Sequence, residues 1–255
     1  MSKMLTIAGK ELKTYFVSPM AYVVSTVYLL IGGFFFYTML SYFSRLSLQF
    51  MQYGYQEDQL DINEMVVRPL YLNLSLVMLM VIPMITMRLL AEERRSGTAE
   101  LLFTSPVRPW HVVGGKFLGA AGLIGLLTAL TCIYPLVLAL VGEIDPGPTA
   151  AAAVGLFLTG AGFVAWGVLA SAASENQIVA AVTSFGFLLL LWVISWAAAI
   201  TDGALASVLD YLSVMSHYEE LAKGVVDTSH LVFFASLVFV PLFLAAHLLA
   251  ARHGR

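Results

Sequence analysis

The sequence predicts an all-α integral membrane protein: a six-transmembrane-helix bundle with an N-terminal amphipathic elbow helix and both termini cytoplasmic. Hydrophobic residues make up 60% of the 255-residue chain and charged residues only 11%, which lies outside the range of soluble globular domains. Six apolar runs also approach the roughly 20 residues that a helix needs to cross a bilayer, and they lack the alternation of membrane-barrel strands. The predicted spans are 20–43, 70–90, 116–141, 149–173, 178–200 and 230–250.

The elbow helix is predicted over residues 3–17. Apolar residues recur at helical spacing on one side, while lysines and threonines occupy the other, as in a helix that lies in the membrane interface with its lysines at the lipid headgroups. Ser18-Pro19 then ends the helix and turns the chain into the first span. A frayed tail with an accidental pattern is the alternative. The apolar side comprises Met4, Leu5, Ala8, Leu12, Tyr15 and Phe16.

Lysine and arginine positions predict the orientation, since short loops rich in these residues stay in the cytoplasm. Six spans place both termini on one side. When that side is the cytoplasm, it holds ten of the thirteen Lys and Arg residues, and only Arg45, Arg68 and Lys223 lie outside.

The spans carry little ionisable chemistry. Between their flanks, the first five contain no Asp, Glu, Lys, Arg or His, although ion-coupled carriers usually need such groups inside the membrane. This disfavours a secondary carrier or channel, which stays as an alternative, and suggests an amphipathic or polymeric substrate. The single cysteine, Cys132, excludes an intramolecular disulfide and a cysteine-based metal cage, and the net charge of -3 gives no support for nucleic-acid binding. We expect no catalytic, metal or cofactor site in this chain.

The densest polar stretch is the loop 91–115 between the second and third spans. Ser96-Gly97 can turn the chain, Thr98 can cap a helix, and Glu100 falls in the first turn, where the helix dipole favours an acid. Ser105-Pro106 can end that helix. The pattern predicts a short helix from about Thr98 to Phe103, whose apolar residues suit a partner's groove. The alternative is a topogenic loop whose Leu-Leu-Phe packs on the membrane face.

Four segments of the chain resemble one known family. The run Ala91-Glu-Glu-Arg-Arg-Ser-Gly-Thr-Ala-Glu-Leu-Leu102, followed by Ser105-Pro-Val and Gly115-Lys116, looks like the signature between spans two and three of ABC-2 type transporter permeases. Residues 10–22 resemble the amphipathic entrance of the gliding-motility-associated branch, and residues 174–179 resemble its short loop after span four. Residues 212–227 are similar to the outer segment of that branch and of its nitrous-oxide-reductase-maturation relatives. With the matching span count, the resemblance covers residues 1–255 as a single transmembrane domain.

The resemblance implies a permease subunit of the bacterial inner membrane that is not itself an enzyme. In that family the loop between spans two and three forms a coupling helix, which sits in a cleft of a cytosolic ATP-binding subunit. A second, smaller contact would fall on Glu175, Asn176 and Gln177, and residues 201–228 would form short outer helices. The coupling helix and its approach would comprise Glu92, Glu93, Arg94, Arg95, Gly97, Thr98, Glu100, Leu101, Leu102 and Phe103.

The resemblance also implies partners. The chain lacks a Gly-x-x-x-x-Gly-Lys-Ser/Thr phosphate loop, and Gly114-Gly115-Lys116 has no leading glycine, so ATP and Mg are expected in separate cytosolic ABC ATPase subunits. A second permease is implied, either another copy of this chain in a homodimer or a different permease in a heterodimer. The outer loop 44–69 either contacts an extracytoplasmic subunit or forms a solvated cap. The alternative function is an ATPase-driven scaffold that transmits motion to such a partner without transport.

Overall fold

The protein is a bundle of helices. The computed structural model describes residues 3–53, 61–95, 108–140, 142–225 and 227–253, and in these ranges it contains helices and no strand. Six helical stretches in these ranges are long and apolar enough to cross a membrane, by length and composition. The predicted all-α membrane bundle is therefore confirmed. The six stretches are Met20–Tyr53, Asn63–Glu93, Pro109–Ala139, Pro146–Ala173, Gln177–Ala199 and Thr228–Ala251.

Eleven α-helices are found in the described ranges, with one π-helical turn, Asn63–Val67, before the third of them. They are α1 (Lys3–Val17), α2 (Met20–Tyr53), α3 (Arg68–Thr86), α4 (Arg88–Arg95), α5 (Pro109–Thr131), α6 (Ile133–Ala139), α7 (Pro146–Ala173), α8 (Gln177–Ala199), α9 (Ala204–Leu212), α10 (Val214–Ala222) and α11 (Thr228–His253).

The helix bounds differ from the predicted spans mainly at the ends. α2 continues to Tyr53, ten residues past the predicted end at 43. α5 begins at Pro109, seven residues before the predicted start at 116, because proline fits the first turn of a helix, where its missing N–H is not needed. Lys116 therefore lies inside a helix rather than at the flank of one. Helical structure also occupies both ends of the predicted loop 91–115, since α4 extends to Arg95.

α7 lies at the centre of the bundle, and 67% of its apolar 18-residue stretch is buried. Its glycines allow close approach: a Cβ added to Gly160 would lie 2.6 Å from Cγ2 of Ile124, and one added to Gly167 would lie 2.1 Å from Oγ1 of Thr86. Small residues let helix backbones come together where lipid supplies no hydrophobic drive. The small-residue-rich fourth span therefore lies inside the bundle.

The third membrane-crossing stretch is interrupted at Cys132, between α5 and α6. Pro135 follows in the first turn of α6, where its ring and missing N–H disrupt the backbone bonds of the preceding turn. The Tyr134 hydroxyl donates to the carbonyl oxygen of Leu29 at 2.5 Å and so joins this break to α2. The interruption is stabilised by a neighbouring helix.

The short helices α9 and α10 pack over the end of the bundle where α7 begins. Tyr218 of α10 is fully buried. Its ring lies 2.9 Å from the position that a Cβ on Gly155 would take. Gly224 has a φ of 87° and sits against Pro148, a backbone conformation that glycine adopts without strain. α9 and α10 thus cap one end of the bundle, and α4 and the start of α5 lie at the opposite end.

Candidate functional site

The candidate site is the end of the bundle formed by α1, α4, the start of α5 and the turn between α7 and α8. Glu92, Glu93, Arg94 and Arg95 lie in the last turn of α4. The predicted helix that follows falls outside the described residues, which resume at Arg108. The predicted positions in that gap are Gly97, Thr98, Glu100, Leu101, Leu102 and Phe103.

α4 is separated from α3 by a break at Met87, into which a side chain of α7 inserts. The hydroxyl of Ser171 accepts hydrogen bonds from the backbone N–H groups of Leu90 at 3.0 Å and Ala91 at 3.1 Å. It donates to the carbonyl oxygen of Met87 at 3.0 Å. A side chain inserted among helical backbone bonds is a recognised cause of kinks. Ser171 is fully buried at this break.

A buried lysine connects three elements at this end. The ammonium of Lys116 on α5 donates to Oε1 of Glu11 on α1 at 2.8 Å and to Oε1 of Glu93 on α4 at 2.7 Å. The Lys116 side chain is 3% exposed, and the two glutamates are 16% and 23% exposed. Charge-assisted hydrogen bonds of this kind are short and strong. Removing the lysine would take the ammonium away from two part-buried carboxylates and would lower the free energy of unfolding by on the order of 3 kcal/mol.

A second contact joins α4 to α1 at the other end of α4. The guanidinium of Arg88 lies over the ring of Tyr15, 5.7 Å from its centroid, within the range of a cation–π interaction. Burial raises the pKa of the Tyr15 hydroxyl, and Glu11 adds to that effect while Arg88 opposes it. Arg88 and Lys116 together balance the charges of Glu11 and Glu93, so the cluster as a whole is neutral.

α1 packs directly against α5 along a stripe of glycines. A Cβ on Gly115 would lie 2.7 Å from Cβ of Ile7, and one on Gly119 would lie 2.6 Å from Cβ of Glu11. The elbow helix therefore buries part of one face against protein, whereas the sequence predicted only an interfacial helix. Ile7 and Glu11, both absent from the predicted apolar side, belong to this contact.

The turn between α7 and α8 holds the three residues of the predicted second contact. The Asn176 side chain accepts from the N–H of Ile178 at 2.9 Å and so caps α8. Glu175 and Asn176 are exposed and Gln177 is half-buried. α4 packs against both α7 and α8, and Ser171 lies three residues before Ser174, where the turn begins. The structure therefore brings the turn and the described part of the predicted coupling segment to the same end of the bundle.

Sequence reasoning missed the Lys116 cluster because it treated Lys116 as a helix flank. A usable signal was present in Gly115-Lys-Phe-Leu-Gly119, since two glycines four residues apart on an apolar helix mark a close helix contact. The carboxylate partners could not be read from the sequence. Glu11 is 105 positions away and Glu93 is 23 positions away.

A second polar cluster lies at the opposite end, beside a cavity of about 480 Å³ that Asp210, His217 and His230 help to line. Nε2 of His217 lies 2.9 Å from the carbonyl oxygen of Tyr211 and must donate to it. Nδ1 of neutral His217 then accepts from Nδ1 of His230, at 2.7 Å. Burial lowers the pKa of His217, and His230 lowers it further, while the Tyr211 carbonyl and Asp210 act in the opposite direction.

Comparison with known families identifies a match. Residues 46–246 match a family model described as ABC-2 family transporter protein. No curated protein matches the chain at a significant level. The matched region begins within α2 and ends within α11, so it includes Glu93, Lys116 and both predicted contact segments, whereas α1 precedes it.

Proposed function

This chain belongs to the ABC-2 family of transporter proteins, and from that membership we propose that a separate cytosolic ABC ATPase binds the loop between α4 and α5 and drives the bundle. The chain is the membrane-spanning permease component of such a transporter. The ATPase subunit would bind ATP and Mg. Movement of that subunit would change the bundle through the loop, as in other conformational cycles that are driven by a bound nucleotide.

The observation that carries this proposal is the position of the loop within the family match. The match runs without interruption from 46 to 246 and includes residues 91–115 and 174–177. The turn at 174–176 and the helix that leads into the loop lie at one end of the bundle, with α4 packed against α7 and α8. One partner subunit placed against this end would reach both segments.

We propose that this end faces the cytoplasm, together with both termini, in a bacterial inner membrane. The ten-to-three distribution of Lys and Arg supports this orientation. Lys3, Lys10 and Lys13 of α1 belong to the same side as the loop. α9 and α10 would then cover the outer end.

The finer proposals come from the sequence. Transport would be outward, and the substrate would be amphipathic or polymeric, because the helices offer few charged groups in their central parts. Pairing with a second permease, identical or different, would complete the pathway. Placement in the gliding-motility-associated branch has support only from the three resembling segments, 10–22, 174–179 and 212–227.

Docking can be tested with a charge-altering double variant in the loop. We expect Glu100→Lys with Leu101→Asp to abolish co-purification of the ATPase with the full-length chain from membranes, while membrane insertion is unchanged. A matched control makes the same changes at the opposite end, Asp202→Lys with Leu205→Asp, where both side chains are exposed. The control should recover as much ATPase as the native chain does.

Three results would contradict the proposal. The native chain could recover no ATPase subunit, the loop variant could recover as much as the control, or both variants could lose it equally. The alternatives have distinct signatures in the same preparations. Substrate flux in sealed vesicles without ATP or ATPase would indicate a secondary carrier, and recovery of an extracytoplasmic subunit with no ATP-dependent flux would indicate a scaffold.

A further inference from the structure

We propose that Lys116 is a positioning residue that joins α4 to the elbow helix α1, so that movement of α4 reaches α1 and then the first span. This inference rests on the proposed function, because the movement would come from the docked ATPase. The protein would use the lysine to hold α1, α4 and the start of α5 together as one moving body.

The path from the loop to Lys116 is short. Glu93 lies two residues before Arg95, the last described residue before the loop. Its carboxylate is 2.7 Å from the Lys116 ammonium. A displacement of the loop therefore acts on Glu93 within one helical turn, and α4 cannot move relative to α5 without breaking a buried charge-assisted hydrogen bond.

The junction between α3 and α4 can bend. α4 is not a rigid continuation of α3, because the break at Met87 is occupied by the hydroxyl of Ser171. Backbone bonds to a side chain leave this junction easier to bend than an uninterrupted helix. A force on the loop would therefore turn α4 about Met87, and the contacts of α4 with its neighbours would decide what moves with it.

α1 connects the Lys116 contacts to α2. Lys116 also binds Glu11 of α1 at 2.8 Å, and the glycine stripe at Gly115 and Gly119 holds α1 in direct backbone contact with α5. α1 ends at Val17 and α2 begins at Met20. Since only two residues separate these helices, a shift of α1 is transmitted to the membrane-crossing helix α2.

Hydrogen–deuterium exchange of the purified full-length complex, in lipid nanodiscs with its ATPase, tests this coupling. Peptides from α1 and α4 are compared without nucleotide and with ATP plus vanadate. In the native complex both should change their deuterium uptake. In Lys116→Met the α4 peptides should still respond, while the nucleotide response of α1 should fall about tenfold or more, as expected when both charge-assisted bonds of Lys116 are lost.

Two controls separate coupling from simple destabilisation. Lys116→Arg keeps a positive charge with several donors and should restore the α1 response. Lys13→Met removes an exposed lysine from the same α1 helix and should behave as the native chain does. A purely structural role for Lys116 would raise the basal exchange of α1 and α4 together without removing the nucleotide dependence of α1 selectively.

The outcomes distinguish this inference from the proposed function. An α1 response in Lys116→Met equal to the native response would overturn it, as would a native complex in which α4 responds and α1 does not. Loss in both Lys116→Met and Lys116→Arg would also overturn the ionic role. If Lys116→Met fails to fold, Glu11→Met removes only the α1 side of the link and carries the same expectation. A native chain that recovers no ATPase would instead refute the proposed function.

Discussion

Adding one methyl group at Gly115 should destabilise the protein, because α1 and α5 touch there. The new Cβ would lie 2.7 Å from Cβ and Cγ2 of Ile7 and 2.9 Å from the carbonyl oxygen of Met4, whereas ordinary contact begins at 3.4 Å. None of these three atoms lies at the far end of a flexible side chain. α1 would therefore have to withdraw by about 0.7 Å, the difference between 3.4 and 2.7 Å. Overpacking of this kind costs about 1 to 3 kcal/mol.

Two other glycines provide matched controls for Gly115→Ala. At Gly114 the nearest atom is the sulfur of Met4, at 2.7 Å, and a flexible thioether can move aside at little cost. At Gly186 nothing lies within 4 Å, so alanine there should gain up to about 1 kcal/mol of helix propensity. The expected order of stability is Gly186→Ala, then Gly114→Ala, then Gly115→Ala.

Thermal unfolding in detergent, followed by tryptophan fluorescence, measures this order. A change of 1 kcal/mol corresponds to roughly 2 to 4 °C in Tm for a chain of this size, so Gly115→Ala should melt about 2 to 12 °C below the native protein. Equal Tm values for Gly115→Ala and Gly114→Ala would refute the argument that backbone contact between α1 and α5 holds the elbow helix in place.

Two further predictions concern the break in the second span and the outer end. Ser171→Ala should cost about 2 to 3 kcal/mol because the N–H of Leu90 loses its buried acceptor. Thr159→Val should cost little, because the Thr159 hydroxyl is buried without a partner among the described residues; similar unfolding free energies for the two variants would contradict the role of Ser171. Burial lowers the pKa of His217 below its ordinary value of 6.5, so the folded protein favours the neutral imidazole. Its contribution to stability is present above 6.5 and is lost as the pH falls through the lowered pKa. The loss of Tm between about pH 7.5 and pH 5.5 should therefore be larger in the native protein than in His217→Gln, and equal losses would exclude His217 as the cause.

Composition and run length were sufficient to predict the membrane bundle, because burial in lipid requires long apolar helices with internally satisfied backbones. The small residues of the fourth span, Gly155 to Gly167, suit its central position for a local reason, since they permit close packing on any neighbour. Helix ends were less predictable. Pro109 extends α5 by seven residues beyond the apolar run, and this depends on helix-start chemistry rather than on hydrophobicity.

The amphipathic pattern of α1 predicts a helix that lies on lipid, but it does not predict the contact of α1 with α5. An amphipathic pattern shows that one side of a helix seeks an apolar environment, but lipid and protein both provide one. Glu11 illustrates the limit, because an acid on the apolar side of the helix interrupts the pattern until its partner Lys116 is known. The coupling segment that the sequence emphasised most, Thr98 to Phe103, lies outside the described residues and stays a prediction.

The polar stretch between Arg88 and Lys116 shows what the sequence by itself determined: a charged loop between two spans, in a chain whose composition requires a membrane. Those properties depend on residues close together in the chain. Tertiary structure alone decided that Lys116 is buried between Glu11 and Glu93 and that Ser171 occupies the break at Met87. Such contacts join positions as far apart as 105 residues, and their hydrogen bonds form only after the helices have packed.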